Sequence, residues 1–185
     1  MDQGIVIAAV LAGLFGASVG SFLNVVAWRV PRGESLLHPP SRCTSCGHPI
    51  AWYDNLPILG WFVLRGRCRS CGAGFSVRYA VVELATALLF AGAMLHAGPT
   101  WLFLRDALFL SLLTCAVLTD LDGWIILDTV SLGGTGAGVA LSLLPGGIGL
   151  RDSLLAAAGA FGLFLLIRLA SILILRRRPD YAIAP

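Results

Sequence analysis

Apolar runs long enough to cross a bilayer dominate this chain and leave few folds open to it. About 20 consecutive apolar residues are needed to span a hydrocarbon core of roughly 30 Å. Five segments meet that length, roughly 4–28, 80–98, 101–119, 124–145 and 153–175. With 57% hydrophobic residues in a chain of 185 and a mean hydropathy of +0.86, a water-soluble core cannot hide so much apolar side chain. The expected fold class is an all-α polytopic membrane protein of about five transmembrane helices. The first run has no basic segment ahead of it and no small-residue cleavage site, and it continues unbroken into Asn24 and Arg29. It therefore reads as a retained anchor rather than a signal peptide.

Arginine placement sets the orientation, because the chain has no lysine. Loop 29–79 carries Arg29, Arg32, Arg42, Arg65, Arg67, Arg69 and Arg78 against Glu34 and Asp54, and the tail carries Arg176, Arg177 and Arg178. Excess positive charge marks cytoplasmic segments. Both regions are therefore expected inside, with the N-terminus and the connections near 97–101 and 146–152 outside. Five crossings satisfy that parity. The net charge of +3 is explained by topology and by anionic membrane lipids, and it calls for no nucleic-acid partner.

The polar loop holds the most specific motif. Cys43/Cys46 and Cys68/Cys71 read C-x2-C-x21-C-x2-C, each pair followed by glycine (Gly47, Gly72). Two C-x2-C turns can close a tetrahedral four-cysteine zinc site. The competing reading is a pair of disulfides, which needs an oxidising compartment, whereas the charge pattern places the loop in the cytoplasm. Pro31, Pro39, Pro40, Pro49 and Pro57 leave the loop too irregular for a core of its own, so a metal staple is physically reasonable. The cysteine turns are expected to be short β-knuckles. The aromatic stretch 51–64 reads as a segment lying on the bilayer or the bundle, or as a plain ribbon strand. Cys115, in an apolar run, reads as a buried small hydrophobe.

Ionisable residues within membrane segments are functional candidates because burying charge in lipid is costly. Glu83 reads as either functional or interfacial. Arg105 and Asp106 are expected to satisfy each other or the headgroups, His96 to be interfacial, and Arg168 to snorkel or to pair across the bundle. Gly133, Gly134, Gly136 and Gly138 read as a helix-packing face. The stretch LTDLDGWIILD stands apart, with Asp120, Asp122 and Asp128 inside nine residues. If it is helical, Asp120 and Asp128 share a face; otherwise Asp122-Gly123 is the corner of an acidic turn. Aspartic proteolysis needs two carboxylates that share a proton and activate a water.

GSFLNVVAWRVPRGES (Gly20–Ser35), AWYDNLPILGW (Ala51–Trp61), RGRCRSCG (Arg65–Gly72), SVRYAVVEL (Ser76–Leu84) and TDLDGWIILD (Thr119–Asp128) occur in that order. Together with the first cysteine pair they resemble the type IV prepilin peptidases, polytopic aspartic proteases that also N-methylate the mature pilin. The resemblance implies Asp120 as the first catalytic aspartate and Cys43, Cys46, Cys68 and Cys71 as structural zinc ligands. It further implies S-adenosylmethionine as methyl donor, type IV prepilin or pseudopilin precursors as substrates, and a multi-pass position in a bacterial inner membrane. The implied organisation is a first transmembrane helix at 1–28, a cytoplasmic zinc-binding loop at 29–79, a four-helix transmembrane part of the peptidase domain at 80–175, and a basic cytoplasmic tail at 176–185. Leu127 and Ala80 stand where the family usually has proline. The larger departure is that the family's second catalytic aspartate lies in a GxGD motif opening a later membrane helix, and these residues contain no GxGD. The corresponding stretch is LRRRPDYAIAP, where Asp180 lacks flanking glycines. Two function classes follow: a membrane endopeptidase and N-methyltransferase lacking one catalytic aspartate, or a catalytically inactive or truncated zinc-loop protein that binds prepilins or a partner subunit.

Overall fold

The computed structural model describes residues 2–145 and 147–176, so Arg177, Arg178 and Asp180 lie outside the described residues. Among the described residues six α-helices follow one another: α1 (Gln3–Arg29), α2 (Leu59–Leu64), α3 (Arg78–Ala97), α4 (Trp101–Gly123), α5 (Asp128–Leu141) and α6 (Leu150–Arg176). The chain divides into two compact units, Met1–Gly134 and Thr135–Pro185.

Asp2 caps α1 by accepting the Gly4 N–H at 3.3 Å. Pro31, which has no N–H to donate, sits in the 3-10 turn Val30–Arg32 that ends this helix. In the first unit α1, α3 and α4 pack together. One cluster joins Ala9 and Ala12 of α1 to Phe90, Ala93 and Met94 of α3 and to Phe103 and Ala107 of α4. A second joins Leu23 and Ala27 to Val82, Cys115 and Leu118. In lipid, apolar burial does not drive helices together, so close fit has to. Gly16 and Gly20 supply that fit. A methyl group at Gly16 would lie 2.6 Å from the Thr86 carbonyl oxygen, and one at Gly20 would collide with the Thr86 hydroxyl. The buried Thr86 hydroxyl donates to its own helix, to the carbonyls of Val82 and Glu83, so the close approach leaves no polar group unpaired.

Among the described residues, four helical segments are long and apolar enough to cross a membrane: Gln3–Arg32, Arg78–Ala97, Trp101–Gly123 and Leu150–Leu173. The expected run 124–145 takes another form. Trp124 adopts a left-handed conformation (φ 55°) that ends α4, and α5 has only 14 residues. Its rise is about 21 Å, short of the roughly 30 Å core. Hydropathy counted this run as one span, whereas the backbone is non-helical over 124–127 and helical only from Asp128 to Leu141. In the second unit, α6 presents apolar side chains almost all round, and Leu163, Phe164 and Leu166 are all exposed. Such a helix suits a lipid environment.

Candidate functional site

The first C-x2-C turn is closed by the Cys43 N–H donating to the His48 carbonyl (2.9 Å) and the Gly47 N–H donating to the Cys43 carbonyl (2.9 Å). The second turn repeats this arrangement. The Cys68 N–H donates to Ala73 (2.8 Å) and the Gly72 N–H to Cys68 (2.9 Å). Isolated antiparallel bridges, Arg42 with Pro49 and Arg67 with Gly74, flank the two turns. Gly47 and Gly72 both hold φ at 73°, a left-handed value that glycine adopts without a Cβ penalty. The C-x2-C-G pattern thus encodes two copies of one knuckle, as the spacing implies.

The knuckles bring all four thiol sulfurs within 4.8 Å of one another. The Cys43 and Cys71 sulfurs are 3.8 Å apart. Sulfurs about 2.3 Å from a tetrahedral ion would be roughly 3.8 Å apart, whereas a disulfide is about 2.05 Å long. None of the five cysteines is disulfide-bonded, and the thiol cluster fits a zinc ion. The Cys43 thiol is lowered to about 6, chiefly by the backbone N–H groups of Cys46 and Ser45 that stabilise its thiolate. The Cys71 thiol is pushed up to about 11. The Ala73 N–H favours its thiolate, but the Cys46 thiol, burial and the other two thiols outweigh that.

Two ties fasten the loop together. Arg69, between the second pair of cysteines, grips Asp54 bidentately at 2.5 and 2.7 Å. The Arg69 guanidinium holds the Asp54 carboxyl below the usual carboxylate range, and Asp54 in turn raises Arg69. Glu83, buried in α3, accepts the Ile58 N–H at 2.6 Å just ahead of α2. Segment 51–64 is therefore neither a strand nor loose ribbon. It is a set of turns running into a short helix, pinned to the second knuckle and to α3.

The same end of the bundle carries the acidic stretch. The C-terminus of α1, the N-terminus of α3 and the C-terminus of α4 meet there. Asn24 reaches the Tyr79 carbonyl at 3.5 Å, and Arg78 forms a bidentate pair with Asp122, one arm at 2.8 Å. Asp120 is exposed on the last turn of α4, and its carboxylate has no hydrogen-bond or ion-pair partner among the described residues. Because α4 ends at Gly123 and α5 begins at Asp128, Asp120 and Asp128 do not share a helix face. The corner is not at Asp122-Gly123 either: Asp120, Asp122 and Gly123 all belong to α4, and the chain turns at the left-handed Trp124. Arg105 pairs with Asp106 at 2.7 Å, as expected. His96 and Arg168 are exposed and Cys115 is buried.

A cleft of about 460 Å³ opens between the C-terminal half of α1 and the loop. Ser21, Phe22 and Arg29 form one wall, and Pro39, Pro40 and Asn55 the other. Arg29 shapes it by donating to the Ser35 and Pro39 carbonyls, each at 2.9 Å. Local spacing gave no sign of the Arg78–Asp122, Arg69–Asp54 and Glu83–Ile58 ties. Only the charges of their side chains were visible in the sequence.

Residues 14–97 match the family model described as the bacterial peptidase A24 N-terminal domain. Over 153 residues the chain is 45% identical to a prepilin leader peptidase/N-methyltransferase of Myxococcus xanthus (strain DK1622), covering 83% of this chain and 46% of that protein. The corresponding protein of Aeromonas hydrophila is 34% identical over 175 residues, covering 82% of this chain and 60% of that one. That of Klebsiella pneumoniae is 36% identical over 154 residues, covering 80% of this chain and 68% of that one. No solved structure matches. The chain thus spans about half the length of the Myxococcus relative, and it belongs to the prepilin leader peptidase/N-methyltransferase family.

Proposed function

We propose that this chain is the zinc-loop and first-aspartate part of a membrane aspartic endopeptidase acting on type IV prepilin or pseudopilin precursors at the cytoplasmic face of a bacterial inner membrane. The observation that carries this reading is the gathering of Asp120 and the four-cysteine knuckles at one end of the α1–α3–α4 bundle. A substrate whose leader stays in the cytoplasm while its apolar segment lies in the bilayer would present its scissile bond at such an end.

Peptide hydrolysis by carboxylates needs two of them around one water, one protonated and one ionised. Asp120 would supply one, exposed and with no ion-pair partner among the described residues. Cys43, Cys46, Cys68 and Cys71 would hold zinc as a structural ion that keeps the loop ordered at the same end of the bundle as Asp120. The family's methyl donor, S-adenosylmethionine, carries an ammonium group that calls for a carboxylate partner. The loop cleft is lined by hydroxyls, an amide and a guanidinium but by no carboxylate. It does not fit that group, and no methyl-transfer step is assigned to it.

A second reading is favoured by the absence of a GxGD motif from these residues. On that reading the 185 residues bind prepilin or a partner subunit without cleaving. One experiment separates the two. The purified chain is assayed for prepilin cleavage alone and again with GxGD-bearing helices supplied in cis or as a co-expressed fragment. On the peptidase reading, cleavage is negligible alone, appears on complementation, and is lost in Asp120→Asn by several orders of magnitude, because paired catalytic groups act as a unit. Complemented cleavage that survives Asp120→Asn refutes the role of Asp120. Prepilin binding without cleavage in either format supports the second reading.

A further inference from the structure

Helix α2 has two unlike faces. Gly60 is buried against the Asp54 carbonyl. Trp61 folds over Gly66 and donates its indole N–H to the Phe75 carbonyl at 3.4 Å. The opposite face presents Leu59, Phe62 and Val63, which are 61%, 63% and 71% exposed. The spacing i, i+3, i+4 makes these three one stripe. Trp52 and Tyr53 are exposed just upstream, and Arg65 and Arg67 just downstream.

Depth and charge decide what covers this stripe. The Ile58 N–H is held by Glu83, which lies five residues into the membrane-spanning helix α3, about 7.5 Å of axial rise. Helix α2 therefore starts against the first turns of α3, at the loop end of that membrane-spanning helix, the level at which interfacial helices bury their apolar faces. Between Asn55 and Arg67 there is no acidic side chain, and the nearest, Asp54, is engaged by Arg69. Loop 29–79 has seven arginines against two acids. Tryptophan and tyrosine are the residues that settle at headgroup level, and each arginine near an anionic leaflet adds attraction. A basic peptide would be repelled by this surface.

We propose that the Leu59/Phe62/Val63 face of α2, flanked by Trp52 and Arg65/Arg67, docks on an anionic phospholipid surface and anchors the cysteine loop against the membrane. This rests on the membrane-spanning reading of α3 but not on peptidase activity. The loop then has three fixed points: the bilayer through α2, the bundle through Glu83 and the second knuckle through Arg69.

The test uses the full chain reconstituted in phosphatidylglycerol-containing nanodiscs doped with brominated lipids. A fluorescent amino acid replaces Phe62 or Val63 in turn, with Ser45 on the first knuckle and Phe164 on α6 as reference positions. Interfacial docking predicts quenching at positions 62 and 63 at least about threefold above that at position 45, and weaker quenching in all-phosphatidylcholine discs. Quenching at 62 and 63 no greater than at 45, with position 164 still quenched, overturns the docking and leaves the spanning helices intact. Loss of quenching at 164 as well overturns the membrane reading on which the proposal rests. Protection of 62 and 63 that appears only with a second copy per disc, or only with added prepilin, overturns lipid as the occupant. In a second variant, Leu59→Ser, Phe62→Ser and Val63→Ser are combined. It should keep its bound zinc while hydrogen exchange across 51–67 rises severalfold, and unchanged exchange counts against the proposal.

Discussion

Replacing Gly16 with alanine adds one methyl group at the closest approach of α1 and α3. That methyl would sit 2.6 Å from the Thr86 carbonyl oxygen and 2.7 Å from the Phe90 Cβ, where comfortable contacts lie near 3.5–4.0 Å. One of the two obstructing groups is backbone, so no rotamer change relieves the clash and the helices must part by about 1 Å. Overpacking of this kind costs roughly 1–3 kcal/mol. Alanine also raises helix propensity by about 0.5–1 kcal/mol, which would mask part of the loss. The matched control is Gly92→Ala on α3, where an added Cβ meets nothing within 4 Å. Propensity cancels between the two variants, so their difference reports the packing term. The expected gap is roughly 1–3 kcal/mol, read from SDS-titration unfolding of the detergent-solubilised chain followed by circular dichroism. A gap below about 0.5 kcal/mol, the scatter expected of unperturbed surface sites, would refute the claim that glycine sets this helix spacing.

The knuckle geometry predicts about one zinc per chain under reducing conditions, and elemental analysis finding less than half an equivalent would contradict it. Chelation should disorder residues 41–75 while leaving the chain in the membrane, checked by proteolysis and carbonate extraction. Zinc requires thiolates, and the Cys71 thiol is pushed up to about 11 while Cys43 sits at about 6. Binding near neutral pH should therefore release protons, and affinity should fall as pH drops; calorimetric heats that do not change with buffer ionisation enthalpy would exclude this. Reporter fusions at positions 55 and 99 should read cytoplasmic and outside, and a cytoplasmic reading at 99 would mean that α3 does not span.

Features encoded within a few residues were legible in the sequence. The C-x2-C-G repeat specified two knuckles because the turn, the thiol spacing and the left-handed glycine are all local. The apolar runs located α1, α3, α4 and α6, because length and hydropathy suffice when lipid is the solvent. The run 124–145 misled because hydropathy is blind to backbone breaks: Trp124 turns left-handed, and the remaining helix is 14 residues long. Ties between distant residues were invisible. Asn24 and Tyr79 are 55 residues apart, and Arg78 and Asp122 are 44 apart. Glu83 was legible only as a costly charge in a membrane segment. Its use as the acceptor for the Ile58 N–H depends on a loop conformation that no periodicity announces.

The Arg78–Asp122 pair is half-exposed, with side chains 39% and 26% accessible. Pairs of that kind contribute little stability, on the order of 0–1 kcal/mol. Its effect is better sought in orientation. Two residues along an α-helix correspond to about 200° of rotation, so fixing Asp122 toward Arg78 turns Asp120 to the far side of α4's last turn. Because α4 ends one residue after Asp122, a terminal turn free to fray would otherwise let both carboxylates wander. The bidentate grip removes that freedom at a position two residues from the proposed catalytic group. On the peptidase reading, the partner carboxylate and the scissile bond must then approach α4 from the side that α3 does not cover. The zinc loop is tied to the α3 side through Glu83 and Ile58. On that reading substrate would be held between the cysteine loop and a face left open for the second aspartate, and the loop would act as a positioning element rather than a reacting one.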